Sequence, residues 1–78
     1  MKTHDLKILP EFYRAVKKGE KTFEVRKNDR DFKKYDVIIL REWDGKNYTG
    51  KWIAKKIGYI LPGGQFGIEE GYVVLGLK

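Results

Sequence analysis

From His4 to Ile8, His4, Leu6 and Ile8 alternate with Asp5 and Lys7, the period-2 pattern of a half-buried strand. Pro10 then suits the first turn of a helix, where its missing N–H has no partner to lose, and Gly19 suits its end. The pattern predicts a short helix over Pro10–Lys18 with Phe12, Ala15 and Val16 as its buried stripe and Arg14, Lys17 and Lys18 towards water. After Gly19 the period returns to two, with Phe23 and Val25 facing one way and Thr22, Glu24 and Arg26 the other. Asn28–Asp31 supplies turn formers, and Val37–Trp43 is a β-branched, apolar strand. Asp44-Gly45 signals a hairpin into a long strand over Tyr48–Leu61, bent near Gly58. A glycine-rich connection from Pro62 leads to a last strand over Tyr72–Leu77.

About five or six short strands and one N-terminal helix predict a single α+β, mainly β domain over residues 1–78. Too short for two packed sheets, the chain is expected to curl into a small β-barrel plugged by the helix, with glycines at its corners. The core is expected to take Phe12, Phe23, Trp52 and Tyr72, and His4 is expected to be partly buried and hydrogen-bonded.

Composition narrows the chemistry. Neither Cys nor Ser occurs, and there is one His, so disulfides, serine or cysteine nucleophiles and Cys-type zinc sites are excluded. The pairs Glu42/Asp44 and Glu69/Glu70 lack calcium-loop spacing and are expected to be solvated; no metal and no cofactor are expected. The longest apolar run, Val37–Leu40, is too short to span a membrane, and the N-terminus lacks a signal-peptide core, so a cytoplasmic protein is expected.

Charge is unevenly distributed. The net charge is +6, and residues 1–35 hold eleven basic and six acidic side chains against six and five in the remainder. Lys21, Arg26, Lys27, Arg30, Lys33 and Lys34 cluster on one strand and the loop after it, a candidate phosphate-facing rim. Phe32, Trp43 and Tyr48 lie in or beside polar turns, where a base could stack. Glu24 and Arg26, two apart on a strand, present a carboxylate and a guanidinium on one face, with Lys21 at the strand's entry.

The order Gly19-x-Lys21-x-x-Glu24-x-Arg26, from helix end to strand start, resembles the signature of the ASCH domain, a branch of the PUA-like superfamily. With Arg26–Phe32, Glu42–Asp44, Tyr48–Gly50 and Gly71–Gly76, the chain is similar over nearly its whole length to a short ASCH-like subfamily of uncharacterised function found in bacteria and phages. Tyr35 departs from that pattern, which usually has Gly before Asp36. The resemblance implies a PUA-like β-barrel with a cleft at Lys21, Glu24 and Arg26, binding RNA or a nucleotide-like ligand. Some ASCH relatives are amidohydrolases acting on N4-acetylcytidine, with a threonine nucleophile three residues after the lysine; here that position is Glu24. The expected function is therefore an RNA-binding or modified-nucleotide-binding module in which Lys21, Glu24, Arg26, Lys27, Arg30, Phe32, Trp43 and Tyr48 contact the ligand. The alternatives are a nucleobase amidohydrolase using Lys21 and Glu24, and a small protein-interaction factor.

Overall fold

A computed structural model describes all residues 1–78. The chain runs β1 (Thr3–Ile8), α1 (Pro10–Lys17), β2 (Phe23–Lys27), β3 (Val37–Trp43), β4 (Tyr48–Pro62) and β5 (Tyr72–Leu77). All strands belong to one sheet of order β1-β3-β4-β5-β2, in which only β1 and β3 are parallel. The long β4 pairs with β3 through its first part and with β5 through its second, and the register shifts between Ile57 and Tyr59, at Gly58. That irregularity bends the sheet around α1, which seats Tyr13 and Val16 against β3 and β4. Leu6, Ile38, Leu40, Ile57 and Leu75 line the concave face.

The sheet is curved but open, not the closed barrel expected from the sequence. β1 and β2 are its two edges and share no backbone ladder. Instead Arg26 Nη2 donates to the Lys7 carbonyl at 2.6 Å and Arg30 Nη1 to the Asp5 carbonyl at 2.5 Å. Edge carbonyls need partners, and here guanidinium groups reaching across from β2 and its following loop provide them. A seam spanned by side chains thus stands where a barrel would have its last ladder.

β2 also reverses the expected facing. Its register sets Glu24 opposite Leu75 and Arg26 opposite Val73, both buried members of β5. Directly paired residues share a face, so Glu24 and Arg26 point inward, and Phe23 and Val25 point outward at 45% and 52% exposure. Of the other aromatics expected in the core, Phe12 and Trp52 are exposed and Tyr72 is half-buried. In α1 the buried pair is Tyr13 and Val16, with Ala15 half-buried.

Phe32, expected to meet a base, is instead buried. Asn28 Oδ1 accepts the Phe32 N–H at 3.1 Å, folding the loop inward, and the ring packs edge-on against His4 at 4.8 Å between centroids. Glu42, expected to be solvated, is buried and accepts the Thr49 hydroxyl at 2.7 Å. No helix is long and apolar enough to cross a membrane.

Candidate functional site

The helix end positions the first site residue. Gly19 adopts φ +80°, its N–H bonds the Val16 carbonyl and the Glu20 N–H bonds that of Ala15, which together make a Schellman stop. The Lys21 N–H bonds the same Ala15 carbonyl at 3.0 Å, so the chain turns back sharply and delivers Lys21 to the start of β2. A side chain at position 19 would meet no neighbour but would be strained by the left-handed backbone. This is the local reason for glycine two residues before the lysine.

Glu24 is 4% exposed and both its oxygens are engaged. Lys21 Nζ donates to Oε1 and Arg26 Nε to Oε2, the latter at 2.9 Å. Lys21 Nζ also donates to the Phe23 carbonyl at 2.8 Å and stands 5.6 Å and 5.1 Å from the ring centroids of Phe12 and Phe23. Arg26 completes the chain of contacts by bonding Lys7 of β1 across the seam. Two cations around one carboxylate leave one net positive charge. The ammonium retains an N–H beyond these two bonds, and the Arg26 Nη1 hydrogens are unengaged.

These residues form the floor of a cleft of about 350 Å³ whose walls are Ile8, Leu9, Phe12, Phe23 and Val25, with Lys7 at its margin. Apolar walls with a few convergent polar groups are the usual make-up of a small-ligand site. Exposure of Phe12 and Phe23, at odds with a core role, is accounted for by their place in these walls. Beyond Arg26 lies a second, smaller depression lined by Lys27, Asp29 and Arg30, with Leu6 and Phe32 beneath.

The structure therefore unites Lys21, Glu24 and Arg26, and sets Lys27 and Arg30 alongside them, but removes Phe32 to the core. Trp43 and Tyr48 lie elsewhere, opposite each other on β3 and β4. Sequence reasoning missed Lys7, Leu9, Phe12, Phe23 and Val25 as site residues: Phe12 on the helix and Phe23 and Val25 on β2 lie on apolar stripes that read as core, and Lys7 and Leu9 carry no local signal. The signal that could have found Phe23 and Val25 is Glu24 and Arg26 themselves: with the charges inward, their apolar neighbours on β2 must face out.

A second buried carboxylate, Asp36, has a different setting. Asp36 Oδ2 lies 2.8 Å from His4 Nε2 and accepts the Lys33 N–H, and Oδ1 accepts the Lys2 N–H. The His4 hydrogen bond first, then the backbone N–H groups, hold its pKa down at about 2. No group of three or more His, Cys, Asp or Glu side chains is arranged to hold a metal ion.

Residues 3–77 match the family described as Domain of unknown function (DUF3850), and the chain belongs to that family. It is also 34% identical, over 56 residues, to an uncharacterized 12.9 kDa protein in the GpA 3′ region of Escherichia phage P2. That alignment takes in 72% of this chain and 51% of the phage protein, so the chain matches only about half the length of this relative.

Proposed function

We propose that the chain is a PUA-like domain of the ASCH type, working in the cytoplasm, and that its seam cleft binds a nucleotide unit of RNA. The observation that carries this reading is the burial of Glu24 between Lys21 and Arg26 at the floor of an apolar-walled cleft. A base lies against the Phe12 and Phe23 walls, its acceptor atoms taking the free Lys21 and Arg26 donors, while Lys27 and Arg30 contact phosphate. Stacking against aromatic faces and hydrogen bonding along base edges are how unpaired RNA is read. The surplus positive charge at the floor and the net charge of +6 favour a polyanion. Hydrolysis is the weaker reading, because both Glu24 oxygens already hold cations and Thr22 is exposed.

Fluorescence anisotropy with unpaired and structured RNA across a salt series tests the proposal. Affinity is expected to fall steeply with salt, and Arg26→Ala to weaken binding by roughly 1–3 kcal/mol. Failure of both RNAs to bind at low salt overturns it.

A further inference from the structure

The outer face of β1, β3 and β4 carries aromatic and cationic side chains that the cleft does not use. Register places Lys7 beside Arg41, Arg41 beside Trp52, and Trp43 beside Tyr48, all on the face opposite the core. Trp52 is 61% exposed and Tyr48 51%. Both rings are left largely open, although burying such rings is the ordinary source of their stabilising effect. Lys7 Nζ stands 4.6 Å from the Trp43 ring centroid and 6.0 Å from that of Tyr48, and the Arg41 guanidinium 5.8 Å from Tyr48. Each cation thus lies beside a ring rather than paired away from it, except that Arg41 also reaches Asp5 at 3.2 Å.

This face is continuous with the cleft through one residue. The Lys7 carbonyl receives Arg26, its side chain borders the cleft, and its ammonium reaches the aromatic face. Trp52 and Tyr48 stand opposite Arg41 and Trp43, two residues apart on β3, the bulge at Gly50 taking up the extra β4 residues, so the two rings are spaced by roughly 7 Å along the sheet, room for adjacent nucleotides of an unpaired strand.

We infer that the outer face of β1-β3-β4 is a stacking platform for a single-stranded polynucleotide whose one end occupies the cleft. Bases stack on Tyr48 and Trp52, and Lys7 and Arg41 contact the phosphates between them. The occupant is a nucleic acid rather than a protein because cations border the rings, which suits alternating bases and phosphates, and because the platform joins the cleft at Lys7. The inference rests on the cleft reading for the strand's end, and extends the ligand from a nucleotide to an oligomer.

The test measures affinities of a mononucleotide, a trinucleotide and a longer unpaired oligomer, in ribo and deoxyribo series, by competition against a labelled oligomer. Proteins are the wild type, Trp52→Ala, Trp52→Phe and Lys21→Ala; position 52 is exposed, so folding is retained. Wild-type affinity rises with length, and Trp52→Ala removes roughly ten- to a hundredfold of the gain while leaving the mononucleotide unchanged. Trp52→Phe keeps most of the gain. Equal loss in the two sugar series assigns the platform to stacking and phosphate contacts, whereas a ribose-only effect overturns that assignment. Length-independent affinity, as on a surface that serves a protein partner, or wild-type oligomer binding by Trp52→Ala, overturns the platform and leaves the cleft reading standing. If Lys21→Ala changes no affinity while Trp52→Ala does, the cleft reading falls and the platform does not.

Discussion

Asp36 and Glu24 are both carboxylates at under a twentieth of full exposure, yet their surroundings differ in kind. Asp36 is held by two backbone N–H groups and a buried histidine, all fixed by the fold, and it lines neither the cleft nor the smaller depression beside it. Glu24 is held by the ends of two long side chains, at the floor of a cleft, with donors left over. The first arrangement ties a strand entry and a turn together; the second presents charge to a visitor. Burial alone does not separate a structural carboxylate from a functional one. The partners do.

Four substitutions or conditions can break or sharpen that contrast. Asp36→Ala should cost about 3–5 kcal/mol in urea denaturation, because it strands buried donors, while the protein that remains folded binds RNA as before. A binding defect in that folded fraction would erase the distinction.

Second is Glu24→Gln, which keeps the shape of the floor but leaves two cations facing a neutral amide. If Glu24 only tempers repulsion of phosphates, general RNA binding should strengthen, and if it reads a base, the preferred ligand alone should weaken. A loss of stability as large as that of Asp36→Ala, with no change in binding, would make Glu24 structural too.

Acid supplies a third probe. Asp36 is held at about 2 in the folded protein against an ordinary 3.8, so its contribution to stability is complete above pH 3.8 and is lost as pH falls through that interval to about 2. Denaturation midpoints followed downward from pH 5 should fall through this window in the wild type, and the fall should be smaller in Asp36→Asn.

The smallest effect concerns the turn that carries Asp36. Tyr35 adopts φ +77°, a left-handed conformation costly for an aromatic residue, and its ring is half exposed beside Lys34 Nζ at 5.1 Å. Tyr35→Gly should raise stability by about 0.5 kcal/mol, the relief of strain less the added freedom of the unfolded chain. A lower melting temperature would instead show that the ring's contacts outweigh the strain.

Most of the strands were legible because alternation is a local property: Val37–Trp43 and Tyr72–Leu77 form as expected, and α1 ends one residue before the expected Lys18. The facing of β2 was not legible, since Phe23 and Val25 look like core until β5 imposes its register from the far end of the chain. Barrel closure failed for a similar reason: whether two edges meet depends on what their side chains do, and here Arg26 and Arg30 intervene. Phe32 lies in a loop, where parity carries no information, and the Asn28 hydrogen bond together with packing against His4 turns it inward. The Lys21, Glu24 and Arg26 set was legible as a motif; its walls were not, because Phe23 depends on the reversed strand and Phe12 on the helix burying Tyr13 and Val16 instead.

The pairing of Phe23 with Gly76 also sets the order of assembly. The β3–β4 hairpin closes over the short Asp44–Asn47 turn, where Asp44 Oδ1 caps two N–H groups, and is the most local pairing in the sheet. β2 has nowhere to dock until β5 is in place, and loop closure over so much chain is slow to be rewarded. The cleft floor is then among the last parts to form and the first to come apart. Kinetically, changes at Lys21 or Arg26 should register in the unfolding limb of a chevron plot and leave the refolding limb nearly still, whereas changes at Leu40 or Ile57 should slow refolding.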